Sequence, residues 1–98
     1  MAAYLINDME VTDPGLLEEY KKLSPATVAQ YGGRFLARGG RFESLEGTWS
    51  PKRLVIIEFP SLEQAKAWAN SPEYAAAKRL RQKASRSNIV VVEGAPAT

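Results

Sequence analysis

The residue types in this chain that could hold a small anion, carry a proton or stack on a planar molecule gather around one segment: Arg38, Trp49, Arg53 and Glu58. The planar fork of Arg38 could clamp a carboxylate or an enolate while Glu58 orients the ligand or moves a proton. A hairpin turn near Trp49 and Ser50 is expected to bring Glu58 within about one cross-strand step of Arg38. The same proximity would equally make a structural ion pair. Trp49 and Arg53 flank the turn, where the indole could close over a planar ligand or be buried at a subunit contact. Tyr4 and Asn7 lie on opposite faces of a first strand, so only one of them can reach a cavity, and Tyr4 is preferred. Trp68 and Tyr74 sit at inner-face helical positions and read as core packing.

What is missing narrows the chemistry further. With no histidine and no cysteine, the chain has no imidazole for haem, zinc or copper, no thiolate nucleophile, no disulfide and no Ser–His pair. Only carboxylates remain for a hard metal, and these are scattered without the alternating spacing of a calcium loop, so neither a metal nor a cofactor is expected. The formal charge of +2 comes from 13 basic against 11 acidic residues, too small an excess to demand a nucleic-acid partner. The strand RLVIIEF also offers mainly aliphatics where RNA bases would need exposed aromatics to stack on. No leader-like apolar run is visible, which makes a cytoplasmic location without membrane contact the expectation.

The elements that must position these residues follow from periodicity and punctuation. AYLINDMEV, Ala3 to Val11, alternates enough to be a strand with two different faces. Thr12 or Asp13 then caps a helix opened by Pro14 and carrying Leu16, Tyr20, Leu23, Val28 and Tyr31 on one side, with a kink or restart expected near Ser24 because Pro25 has no N–H to give. The tetrapeptide GGRF occurs twice, at Gly32 and at Gly39. A phosphate cradle needs its glycines after a strand and before a helix, whereas Gly32 follows a helix, so the first copy reads as a helix stop. The second, Gly39–Gly40, reads as a bend in an extended segment running from Arg34 to Leu45. Beyond a loop at EGTWSPK come the strand Arg53 to Phe59, a helix opened by the capping box Ser61–Gln64, a break at NSP, a second helical stretch from Pro72, and a last strand Asn88 to Glu93.

Strand, helix, strand, strand, helix, strand is the order of a ferredoxin-like α+β fold, a four-stranded antiparallel sheet with its helices on one face. The chain is expected to be a single domain over residues 1–94 with a frayed tail at 95–98. On the third strand Leu54 and Ile56 point away from the helices, so two uncovered sheet faces are expected to meet in a homodimer enclosing a small cavity.

YGGRFLARGG, LEGTW, IEFPS and WANSPEY together resemble the small bacterial proteins classed as domain of unknown function 1330, and the likeness spans nearly the whole chain. The resemblance implies the dimeric α/β-barrel fold shared with cofactor-free monooxygenases, muconolactone-type isomerases, haem-degrading enzymes and stress-responsive barrel proteins. Haem degradation is excluded by the missing histidine. Such domains often carry a tyrosine after the tryptophan of the second helix, and Ala69 stands there instead. Two readings follow: a cofactor-independent enzyme acting on a small planar or keto-enol metabolite, or a non-catalytic dimer that binds a small organic acid.

Overall fold

The structure, a computed structural model, describes residues 1–96. Its elements run β1 (Ala3–Val11), α1 (Pro14–Gln30), β2 (Arg34–Arg38), β3 (Leu54–Phe59), α2 (Leu62–Ala69), α3 (Pro72–Ala84) and β4 (Ser85–Glu93). The strands form one antiparallel sheet in the order β2-β3-β1-β4, which with the βαββαβ chain order is the expected ferredoxin-like arrangement.

Local chemistry explains most of the boundaries. Asp13 caps α1 by accepting from the Leu16 N–H, and Pro14 opens the helix where no intrahelical donor is needed. Gly32 ends it at φ 76°, a conformation that costs a side-chain-bearing residue about 1–2 kcal/mol, so the first GGRF is indeed a helix stop. Ser61 and Ser71 cap α2 and α3 by accepting from Gln64 and Tyr74 N–H groups. The expected interruption of α1 at Ser24 does not occur, and the helix continues past Pro25. The Lys21 carbonyl, which Pro25 cannot serve, instead accepts from the Arg38 guanidinium at 3.1 Å.

Alternation along β1 and β3 builds the core. Ala3, Leu5, Asn7 and Met9 are buried on one face of β1, and Val55, Ile57 and Phe59 on the same face of β3. Val28, Ala65, Trp68, Tyr74 and Ala77 close over them from the helices. Phe59 and Trp68 stack at 5.5 Å between ring centroids, and Trp68 and Tyr74 at 4.0 Å. Each such buried side chain contributes roughly 1.5–3 kcal/mol of transfer free energy. The opposite face, with Tyr4, Ile6, Leu54, Ile56, Val90 and Val92, carries no helix and leaves Val90 and Val92 largely exposed.

Two details of β2 depart from expectation. Regular pairing ends at Arg38, and the chain from Gly39 to Arg53 is irregular rather than strand-like as far as Leu45. The irregularity in the ladder lies between Phe35 and Ala37, not at Gly39–Gly40. At the other end, β4 begins at Ser85, three residues earlier than expected, and Gly94 N–H still donates to the Ala2 carbonyl at 2.7 Å. The part of the expected frayed tail at residues 97–98 lies outside the described residues.

Candidate ligand-binding pocket

The extra residue at Leu36 decides where the site forms. Arg34 pairs with Glu58 and Phe35 with Ile57, but after the shift Ala37 pairs with Ile56 and Arg38 with Val55. A bulge turns every later side chain to the other face. Arg38 therefore joins Phe35 on the helix side of the sheet, its guanidinium 4.6 Å from the centroid of the Phe35 ring.

One row now crosses the sheet beneath the helices: Arg38 on β2, Val55 on β3, Asn7 on β1 and Ile89 on β4. All four line a pocket that Tyr20 and Ser24 of α1, and Trp68 and Tyr74 of α2 and α3, close from above. Arg53 completes the end near β2. A Cβ on Gly39 would lie 2.7 Å from its Nε, so only glycine at φ 72° lets the guanidinium lie against the backbone there. The enclosed space is small: about 20 Å³ is open to the centre of a water molecule, against the roughly 10–15 Å³ that one water needs. Anything larger must shift the side chains at the mouth, and of the two arginines there Arg38 is exposed and Arg53 half-buried.

The polar groups of this pocket are unevenly satisfied. Tyr74 accepts from the buried Arg81 Nε at 3.2 Å and shares a 2.8 Å hydrogen bond with the Tyr20 hydroxyl. Burial and the neighbouring Tyr74 push the Tyr20 phenol well above its ordinary range, so it stays protonated, a donor and acceptor and not a base. Trp68 Nε1 donates to Thr27 Oγ1, which itself donates to the Ser24 carbonyl. Asn7 differs: its side chain is 5% exposed, and Oδ1 has no hydrogen-bond partner. The arginines are also unpaired, because the ion pairs among the described residues are Lys21–Glu18, Arg34–Glu58 and Arg86–Glu10. Burial, then the charge of Arg38, lower the pKa of Arg53, though a guanidinium stays charged throughout the physiological range.

Of the ligand-binding candidates preferred from sequence the pocket collects Arg38 and Arg53, and with them Asn7, Trp68 and Tyr74, which the sequence placed lower. The expected Arg38–Glu58 pair does not form: Arg34 Nε donates to Glu58 Oε1 at 2.7 Å, on the uncovered face. Tyr4 faces that same side, opposite Glu58 and Val92, so the preference of Tyr4 over Asn7 is reversed. Trp49 is 62% exposed and lies away from the pocket, donating from Nε1 to Asp8 Oδ2 at 3.0 Å. A different space from the cavity expected between two sheet faces of a dimer, this pocket lies between the sheet and helices of one chain. Trp68 and Tyr74 are core residues that also line it, and Tyr20 belongs to the same wall. One sequence signal pointed here, a lone amide at Asn7 in the otherwise apolar series Ala3, Leu5, Met9. Among the described residues no three acidic side chains gather as a metal site would need.

The family model for a domain of unknown function, DUF1330, matches residues 2–95. No curated protein matches the chain. Among solved structures, a protein of unknown function from Rhodopseudomonas palustris is similar over 98% of this chain and 84% of its own, at 18% identity and a TM-score of 0.74. A dimeric ferredoxin-like protein of unknown function from Jannaschia is similar over 96% of this chain and 100% of its own, at 15% identity and TM-score 0.72. SnoaB, a cofactor-independent oxygenase from Streptomyces nogalater, is similar over 98% and 95% respectively, at 12% identity and TM-score 0.65. At these identities the likeness establishes the fold.

Proposed function

Because the chain belongs to the DUF1330 family, whose description assigns no reaction, we propose a function from its own pocket: it binds a small planar organic molecule between sheet and helices, and converts it without a cofactor. The observation that carries this reading is Asn7 Oδ1, buried and unpartnered in the wall of the pocket. Such a group costs about 1–3 kcal/mol if nothing ever satisfies it, and a ligand hydroxyl would. Tyr20 and Tyr74 add neutral hydroxyls, and the Trp68 indole offers a flat apolar wall. Similarity to a cofactor-independent oxygenase makes reaction with dioxygen the natural reaction class. Among the described residues no carboxylate or imidazole lines the pocket to take a proton, so the substrate would give its proton to water and enter as the enolate or phenolate, and the dioxygen would leave one oxygen on the product and one in water.

Amide NMR titration with one-ring phenols and cyclic keto-enols tests the reading. Saturable shifts at Asn7 and the Trp68 indole are expected, and dioxygen uptake without added metal or flavin would establish turnover. Saturable binding with no uptake supports the second reading, a non-catalytic carrier. No shift at the pocket with any member overturns both.

We also infer that two copies join through the sheet face that carries Ile6, Ile56, Val90 and Val92, since no helix covers it and similar proteins are dimeric. Light scattering should give about twice 10.8 kDa at micromolar concentration. A mass near 10.8 kDa would overturn it.

A further inference from the structure

The two ends of the pocket differ in chemistry. At the β2 end stand Arg38 and Arg53, both cationic and neither matched by a carboxylate among the described residues. Arg38 is held in place from two sides, by the Phe35 ring and by the Lys21 carbonyl that Pro25 leaves free. Arg53 is held against Gly39 and carries its charge into a partly dry site. Two like charges there repel, and an anion between them relieves the repulsion. Two strands further along the same row is Asn7, whose free Oδ1 can only accept a hydrogen bond. Two strand spacings put the Cα atoms of Arg38 and Asn7 about 10 Å apart, a span on the order of one ring with a group at each end, which the side chains at the mouth must shift to admit.

We infer that the ligand class is a planar monocyclic hydroxy acid, its carboxylate between Arg38 and Arg53 and its hydroxyl donating to Asn7 Oδ1. The inference rests on the pocket being a small-molecule site and adds to it a direction and a charge. Glu58 is turned to the other face with Arg34 and does not compete for the two arginines. Glu18, whose charge reaches Arg53, is engaged by Lys21 at 3.1 Å.

Calorimetric titration of the full chain with 4-hydroxybenzoate, benzoate, phenol and sodium sulfate tests this. 4-Hydroxybenzoate is expected to bind at least tenfold more tightly than either benzoate or phenol. Arg38→Gln and Arg53→Gln should each erase its advantage over phenol. Asn7→Leu should erase its advantage over benzoate while keeping the preference for acids. The two sets of variants probe opposite ends, so either alone keeps the test decisive. Equal binding of phenol and 4-hydroxybenzoate by the wild type overturns the placement of the anion and leaves the small-molecule reading standing. Sulfate competing as strongly as benzoate reduces the site to a general anion site and overturns the hydroxy-acid class. No binding of any aromatic member overturns the small-molecule reading with it.

Discussion

The two faces of the sheet treat their polar groups in opposite ways. On the uncovered face the charges of β1 and β3 are answered: Glu58 by Arg34, Glu10 by Arg86, and Asp8 by the Trp49 indole and the Lys52 N–H. Beneath the helices, where an unanswered polar group costs more, Asn7 Oδ1 has no partner and Arg38 and Arg53 have no counter-charge. A fold optimised for stability alone would show the reverse. The face open to water carries aliphatic side chains suited to meeting another sheet, and the covered face carries the unsatisfied groups suited to meeting a ligand.

That contrast breaks first, and with the largest effect, where the covered face is solid core. Trp68 is 3% exposed and packs between Phe59 and Tyr74, so Trp68→Ala should cost about 3–5 kcal/mol in denaturant unfolding. A loss below about 1 kcal/mol would mean that the helices sit loosely on the sheet. On the open face the corresponding lesion is in association: Val90→Arg places a charge among the aliphatics of the edge strand β4 and should weaken the proposed dimer at least hundredfold, about 2.7 kcal/mol. Its mass by light scattering should then approach that of one chain, with the fold intact by circular dichroism. A dimer unaffected by Val90→Arg would put the subunit contact elsewhere.

The next two effects separate function from stability within the pocket. Asn7→Leu replaces the unpartnered amide with an apolar side chain of the same branching, and should stabilise the chain by about 1–2 kcal/mol in the same unfolding assay. A loss instead would show that Asn7 is satisfied in solution and is an ordinary structural residue. Arg38→Ala removes an exposed stack on Phe35 and one hydrogen bond, so its cost should stay below about 1 kcal/mol. A loss of several kcal/mol would mean that Arg38 supports α1 at Pro25 more than it serves the pocket.

Most of the architecture was legible because β1 nearly alternates, β3 is a short apolar run between Pro51 and Pro60, and two helices start at caps the sequence marks: Asp13, one of two candidates, and Ser61. The site was half legible, and the reason is one residue. In RFLAR three successive positions, Phe35, Leu36 and Ala37, are apolar, so no alternation says which face each takes. The bulge at Leu36 has no glycine or proline to announce it, while Gly39–Gly40, which does announce a bend, ends the strand instead. With two arginines four residues apart, the sequence could name an Arg–Glu58 pair but not choose between Arg34 and Arg38. Asn7 was ranked below Tyr4 for a different reason: its value as a candidate comes from having no partner, and a sequence does not show which polar groups lack one.

The smallest expected effect lies on the open face, at the one loop that reaches across it. Asp8 Oδ1 accepts from the Lys52 N–H at 2.9 Å and Oδ2 from the Trp49 indole at 3.0 Å, fastening the chain between Gly39 and Arg53 to β1. The Lys52 hydrogen bond is the main cause holding the Asp8 carboxyl below its ordinary value of 3.8, and desolvation opposes it. A carboxyl whose pKa is lower in the folded state adds stability that is present above the unfolded value and lost as pH falls through the folded one. The loop should therefore stay fastened at neutral pH and loosen only below about pH 4. Hydrogen exchange at Lys52 and the Trp49 indole checks this, since both N–H groups lose their acceptor as Asp8 protonates. Asp8→Asn should exchange faster at neutral pH and lose the acid step, because the amide keeps the shape without the charge. The effect is confined to a half-exposed group, so global stability should hardly move. A wild-type chain whose Trp49 exchange shows no acid step would mean that the loop is not fastened by Asp8, and that the open face is left for a second copy to cover.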